Sequence, residues 1–186
     1  MSKKIIITTS RRPTRRIRSF CSDLERSIPN SIKITRGKLS FENLIEKALK
    51  LEADRLIIVD RWKGGPGKIE FYKLEELNFV QKPPIIYVLG VKLQREFSVK
   101  VSTPKSLAVA IDYETSEELL KLAESISDFL SCPLHEAEIE GELNVYGRIL
   151  RISEGKRAGR MSFFMVPTWI EVGPAISIRH LIWDLK

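Results

Sequence analysis

Residues 3–74 switch repeatedly between two hydrophobic periods, and that alternation leaves the chain few architectures to choose from. Lys3 to Thr9 sets three Ile and two Thr in one β-branched stretch, the composition of a strand. Behind Pro13, whose fixed φ suits a first helical turn, Ile17, Phe20, Cys21, Leu24 and Ile28 recur at helical spacing, and Pro29-Asn30 ends the element. Ser31 to Thr35 predicts a second strand and Arg36-Gly37-Lys38 a turn. Ser40 is placed to cap a helix that buries Phe41, Leu44, Ile45, Ala48, Leu49 and Leu51. Asp54 to Val59 carries the inner-strand run Leu-Ile-Ile-Val, and the turn Lys63-Gly-Gly-Pro-Gly-Lys68 folds it back onto Ile69 to Leu74. The order β-α-β-α-β-β favours an α/β layered fold.

Beyond Gln81-Lys-Pro-Pro84, which punctuates the middle, Ile85 to Leu93 and Leu107 to Ile111 predict strands, with a shorter piece at Val99 to Val101. Thr115-Ser-Glu-Glu118 has the capping-box pattern ahead of a helix burying Leu119, Leu122, Ala123, Ile126, Phe129 and Leu130, which Pro133 stops. From Glu136 onward the pattern is extended: Glu138 to Ile152, Ser162 to Val172 and Ala175 to Trp183 predict antiparallel strands.

Charge is unevenly placed. Lys3, Lys4, Arg11, Arg12, Arg15, Arg16 and Arg18 fall within the first eighteen residues, which hold no acid. Without those seven, the remaining 24 basic residues equal the 24 acidic ones, so the whole net charge of +7 matches one short segment. That segment, Thr8-Thr-Ser-Arg-Arg-Pro-Thr-Arg-Arg-Ile-Arg18, spans the first strand-to-helix turn, where backbone N–H groups and the helix dipole favour phosphate. Ser10 and Thr14 add hydroxyl donors, and arginine adds bidentate contacts to phosphate oxygens. Self-pairing along the helix would need acids interspersed at i,i+4, and there are none. A polyanion is the partner such a segment calls for. Asp112 to Glu142 holds ten acids and one lysine, a solvated face that would repel nucleic acid. Arg148, Arg151, Lys156, Arg157 and Arg160 then stand against Glu154 alone.

Several function classes find no support. Lys63 to Lys68 lacks the G-x-x-x-x-G-K-[ST] spacing of a phosphate loop and leads into a strand, so a hairpin turn is expected. His135 and His180 have no companion at metal or triad spacing. Cys21 lies on an apolar helical stripe and Cys132 precedes a proline; two cysteines make neither a disulfide framework nor a ligand set, which points to a reducing, cytoplasmic setting. No catalytic residue, cofactor or metal is expected. No apolar run could cross a membrane, and Ile5 to Ile7 is too short for a signal peptide. With four Asn and two Gln, the composition leans towards a heat-adapted source. Among Trp62, Trp169, Trp183, Tyr72, Tyr87, Tyr113 and Tyr146, Trp62 is the first candidate to stack on a base, because it borders the Gly-rich turn.

Thr8 to Phe20, followed by Pro29-Asn30 and Arg36-Gly37, resembles the N-terminal signature of Brix-domain ribosome-biogenesis proteins. Asp54-Arg-Leu-Ile-Ile-Val-Asp60 with its Gly-rich turn is similar to the next block of that family, and Glu171-Val-Gly-Pro174 with Ile176 to Trp183 looks like its sigma-like motif. That motif usually continues Gly-Pro-Arg-Phe; here Ala175-Ile176 follow, and Arg179 is the nearest arginine after it. The branch resembled is the small-subunit processome Brix protein and its archaeal counterparts. The resemblance implies a single Brix domain over residues 1–186, built of two similar α/β halves, 1–84 and 85–186. Each half would be akin to the anticodon-binding domain of class IIa aminoacyl-tRNA synthetases. It also implies binding to pre-rRNA or other structured RNA and a part in rRNA processing and subunit assembly, beside ribosomal or assembly proteins and without catalysis. The chain ends with the domain, lacking the long tails of eukaryotic members, so an archaeal minimal form is expected.

The expected RNA-binding residues are Ser10, Arg11, Arg12, Thr14, Arg15, Arg16 and Arg18, extended by Arg36 and Lys38 and by a second basic lip of Lys156, Arg157 and Arg160. Two rivals stand beside this reading: an RNA-processing or RNA-modifying enzyme, and a protein-interaction scaffold whose acidic helix docks basic ribosomal proteins.

Overall fold

Three consecutive isoleucines cannot keep one side of a strand wet, and β1 (Lys4–Thr9) is covered on both. Ile5 and Ile7 share a core with the apolar stripe of α1 (Arg15–Ser27), whereas Ile6 packs with Leu44 and Ala48 of α2 (Phe41–Lys50) on the other side. The computed structural model describes residues 4–76, 78–112, 114–136 and 143–185. Lys3, Tyr113 and the start of the strand expected from Glu138 lie outside the described residues. The remaining elements are β2 (Ser31–Lys33), β3 (Ala53–Trp62), β4 (Gly65–Glu75), β5 (Asn78–Lys92), β6 (Leu107–Ile111), α3 (Glu117–Leu130), β7 (Leu134–Glu136), β8 (Arg148–Ser153), β9 (Arg160–Met165) and β10 (Ile170–Ile182).

The strands form one mixed sheet in the order β2-β1-β3-β4-β5-β10-β9-β8-β6-β7. β1 runs parallel to β2 and β3, and β3, β4 and β5 then alternate in direction. The second five strands repeat this: β6 is parallel to β7 and β8, and β8, β9 and β10 alternate. The sets meet at the antiparallel pair β5–β10. The apolar stripes of α1 and α3 contribute to one continuous core, in which Phe71 of β4 meets Phe129 of α3 edge-on with ring centroids 5.0 Å apart. β6 shows the same two-sided burial as β1: Leu107, Val109 and Ile111 join that core, while Ala108 and Ala110 pack with Leu143, Ile149 and Val166.

Some sequence expectations differ from the fold, several of them where strand pairing decides. Gln81 to Pro84 does not interrupt the chain but lies inside β5. The pairing of β4 with β5 jumps there, from Ile69↔Ile86 to Phe71↔Lys82, and this irregularity accommodates two residues that have no N–H to donate. Val99 to Val101 is irregular chain packed against the core rather than a strand. The stretch from Ser162 to Val172 is divided by a turn between β9 and β10, and β8 is parallel to β6 rather than antiparallel throughout. β7 was not foreseen, being only three residues long. Leu49 is exposed. Pro13 precedes the helix, because Thr14 is the N-cap of α1. The capping box at Thr115 does not form: Ser116 is the N-cap, and the Thr115 hydroxyl donates to the Asp112 carbonyl.

A short 3-10 turn, Gln94–Glu96, follows β5 and joins three distant segments. The Gln94 backbone N–H donates to Asp23 Oδ2 at 3.0 Å. Its side-chain Nε2 donates to Ser27 Oγ at 2.8 Å, to the Gly173 carbonyl at 3.2 Å and to the Asp23 carbonyl at 3.4 Å. Burial pushes the Asp23 carboxyl pKa up, and the Gln94 N–H opposes that shift. Gly173 is needed for two reasons: its φ is +65°, and a Cβ there would fall 2.3 Å from the Phe97 ring. The Gly173 carbonyl therefore serves as a buried acceptor holding α1 to β10. Replacing Gln94 by Ala removes the amide from the Ser27 hydroxyl, which still donates to the Gly173 carbonyl at 3.3 Å, and should cost about 1–3 kcal/mol of unfolding free energy in denaturant titration.

Candidate nucleic-acid interface

The loop between β1 and α1 starts with Ser10, whose backbone N–H donates to the Val59 carbonyl at 2.9 Å and so stays in register with β3. Arg12 then turns the chain with φ +56°, and Thr14 caps the helix by accepting from the Ile17 N–H at 3.4 Å. The Thr14 hydroxyl also donates to the Gly64 carbonyl at 2.8 Å, fastening the helix start to the β3–β4 turn. That turn brings its own cations, for Arg61 Nη1 reaches the Arg12 carbonyl at 3.4 Å, and Lys63 beside it is exposed. Arg11, Arg12, Arg15 and Arg18 are exposed, and no acid occupies the first turn of α1. The arrangement is a helix start, with its positive dipole end, ringed by guanidinium groups.

One helical stripe continues the positive surface. Arg15, Arg18, Ser22 and Arg26 line a groove of about 570 Å³ with Lys33 and Arg95, against Asp23 as the one acid. Lys33 is tied to the Ser22 hydroxyl at 2.6 Å. Arg26, Lys33 and Arg95 were absent from the residues picked out in sequence. Arg26 shares the stripe of Arg15 and could have been read from helical spacing, whereas Lys33 and Arg95 arrive only through folding.

The other expected site residues are placed differently. Arg16 donates to both Glu96 oxygens, at 2.8 and 3.1 Å, and to the Val91 carbonyl at 2.6 Å. Its guanidinium thus pins α1 to the 3-10 turn. Arg36 is buried, with Nε donating to the Leu39 carbonyl at 2.9 Å; burial, and then Arg11, lower its pKa. Lys38 in the same turn is exposed. Lys156 and Arg157 are exposed in the β8–β9 turn, while Arg160 pairs with Glu171, which also accepts from Ser162. Following strand directions across the sheet, the β8–β9 turn lies at the opposite edge from the β3–β4 turn. The second lip is therefore separated from the arginines of α1.

The start of α3 is the topological counterpart of the start of α1, with reversed charge. Its first turn holds Glu117 and Glu118, and the Ser116 N–H is taken by Glu154 at 3.1 Å. Both cysteines are thiols raised by burial, Cys21 to about 12 and Cys132 to about 11, which makes them poor nucleophiles. His135 meets the Tyr146 hydroxyl at 2.9 Å, and His180 stacks on Tyr87. Among the described residues no group of three His, Cys, Asp or Glu could hold a metal ion, and no helix is long and apolar enough to cross a membrane.

Comparison with known proteins converges on one family. A probable Brix domain-containing ribosomal biogenesis protein of Methanopyrus kandleri is 31% identical over 183 residues, which is 93% of this chain and 92% of that protein. One from Pyrococcus horikoshii is 46% identical over 102 residues, covering 54% of this chain but 44% of its own length. The match thus spans less than half of that relative. The crystal structure of a probable ribosomal biogenesis protein from Aeropyrum pernix superposes with a TM-score of 0.80 at 28% identity, over 99% of this chain and 98% of that one. The crystal structure of an archaeal Imp4-like protein shares the fold, with a TM-score of 0.65 at 20% identity over 96% of this chain and 99% of the other. No family model matches the chain. The chain belongs to the Brix domain-containing ribosomal biogenesis proteins.

The Arg16–Glu96 contact has a pH signature. The hydrogen bonds from Arg16, and then from the Leu93 N–H, hold the Glu96 carboxyl pKa at about 2, below its ordinary 4.5. A carboxyl lowered by folding stabilises the folded state above its unfolded pKa, and that contribution is lost as pH falls through the folded value. Between about pH 5 and pH 2 the wild type should lose about 0.5–1 kcal/mol more than Glu96→Gln, the half-exposed position limiting the effect. Parallel acid titrations of the two proteins, followed by circular dichroism, measure the difference.

Proposed function

We propose that the chain is an RNA-binding ribosome-biogenesis factor that holds pre-rRNA at the start of α1 and assists rRNA processing and subunit assembly without covalent catalysis. The observation that carries this reading is the exposed set Arg11, Arg12, Arg15 and Arg18 around a helix N-terminus free of acids, with Arg61 and Lys63 beside it. Phosphates bound at the helix start would continue along Arg15, Arg18 and Arg26 towards Lys33 and Arg95. Ser10 contributes from the loop, and Lys38 extends the surface beyond it. Thr14, Arg16 and Arg36 act by shaping the site, since their polar groups are already engaged. Family membership directs the reading to the ribosome, since the relatives are named as ribosomal biogenesis proteins. Binding energy alone would do the work, by favouring one RNA arrangement over others.

The same proposal treats the domain as a doubled unit, each half akin to an anticodon-binding domain of class IIa aminoacyl-tRNA synthetases. The matching pairing patterns of β1–β5 and β6–β10 support two similar halves. A site of action in the cytoplasm, beside ribosomal or assembly proteins, belongs to the proposal too. The scaffold reading keeps one specific support, the exposed Glu117, Glu118, Glu124 and Asp128 of α3, which suit a basic protein at the opposite edge.

The quadruple variant R11A/R12A/R15A/R18A should remain folded and bind pre-rRNA fragments at least about tenfold more weakly at physiological salt. The slope of log affinity against log salt should fall by about 2–3. Filter binding or fluorescence anisotropy over a salt series checks this; unchanged affinity in the folded variant overturns the proposal.

A further inference from the structure

The sheet face opposite α1 and α3 is only partly covered. α2 packs over β1 and β3, and residues around Leu143 and Val166 pack over β6 and β8. Between them, at β4, β5 and β10, lies a depression of about 340 Å³ lined by Arg61, Trp62, Lys68, Tyr87, Arg179 and His180 among others. Ile86 and Val88 belong to the core under α1 and α3, so alternation turns Tyr87 to this open face. There it stacks on His180, with ring centroids 4.4 Å apart and 19° between the planes. Trp62 ends β3 with 58% of its surface exposed, the most exposed aromatic ring among the large hydrophobic residues. Its backbone lies against Gly67, where a Cβ would fall 2.1 Å from that of Trp62, so the indole can lie out over the sheet but its stem is fixed.

An exposed indole on a fixed stem is available to a ligand, and its surroundings indicate which kind. Arg61 and Arg179 border the depression; its acid, Asp60, lies 4.0 Å from Lys68, which also pairs with Glu70 at 3.1 Å. Arg61 also touches the Arg12 carbonyl, so the depression is continuous with the arginine-ringed helix start. A ribose-phosphate chain held at Arg11 and Arg12 is thereby led past Arg61 to Trp62. We infer that Trp62, with the stacked Tyr87–His180 pair beside it, is a platform for unpaired bases of single-stranded RNA. Paired bases in an A-form helix hide their faces in their own stack, whereas unpaired ones present a ring to any flat aromatic group. Guanidinium groups at the rim add cation–π and phosphate contacts without requiring a particular base. This inference rests on the RNA-binding reading above and names the form of RNA that the site takes.

The test uses the full chain, a short unstructured single-stranded oligoribonucleotide, and an abasic ribose-phosphate oligomer of equal length. Trp62→Ala should weaken binding of the base-bearing oligomer about tenfold and leave its salt slope unchanged, while Trp62→Phe keeps most of the affinity. The abasic oligomer should bind the wild type about as weakly as W62A binds the base-bearing one, and be indifferent to the substitution. Equal affinity of W62A and wild type for the base-bearing oligomer overturns the inference, and so does equal binding of the two oligomers by the wild type. Either result, together with lost binding in R11A/R12A/R15A/R18A, leaves the RNA-binding reading standing and assigns the Trp62 face to a protein contact or to none. A wild type that binds pre-rRNA fragments but neither oligomer overturns the inference alone, and one that binds none of the three overturns both.

Discussion

The side-chain amide of Gln94 lies where α1, the end of β5 and the Gly173 corner of β10 meet, and the disposition of the rest follows from that meeting. Strand pairing between the two sets of five strands runs through β5–β10 alone. A single antiparallel pair fixes spacing and direction but leaves open how a helix lies across it. Asp23 and Ser27, near the end of α1, are bound to Gln94, while Arg16, near its start, is bound to Glu96 and Val91. Thr14 adds a third anchor on the β3–β4 turn. α1 is therefore held along its length by polar contacts as well as by its buried stripe of Ile17, Phe20, Cys21 and Leu24. A surface made of flexible arginines gains from such a base, because less freedom remains to be lost when a ligand binds.

Much of this was legible in order along the chain, because local periods dominate where elements are long. The stripes of α1 and α3 and the inner runs of β1, β3 and β6 are where hydrophobic spacing places them. Failures gather where a partner strand decides. β5 runs through two prolines because β4 yields its register there, and β7 exists because β6 offers a parallel edge to three residues. The repeated pairing pattern was invisible as a sequence repeat, since pairing constrains which positions are apolar and not which apolar residue fills them.

The site was legible as composition but not as geometry. A run of arginines without acids announces positive potential; it does not tell which guanidinium finds an acid eighty residues away. Arg16 meets Glu96 across that separation, and Arg36 closes its own turn, although both look interchangeable with their neighbours in sequence. Conversely Arg95 and Lys33 lie in unremarkable segments, and they enter the groove only when β5 ends beside α1 and β2 pairs with β1. The division of roles within one arginine cluster, some structural and some free, is a property of the fold.

The reversed charge at the starts of α1 and α3 bears on how the molecule meets anything large. Exposed arginines crowd one rim, and on the far one Glu117, Glu118 and Glu154 offset Lys156 and Arg157. In the field of a polyanion such a body experiences a torque as well as a pull, so it turns before it touches. Most encounters would then begin with the arginine rim leading, and the far rim would be left facing outward, available to whatever arrives next.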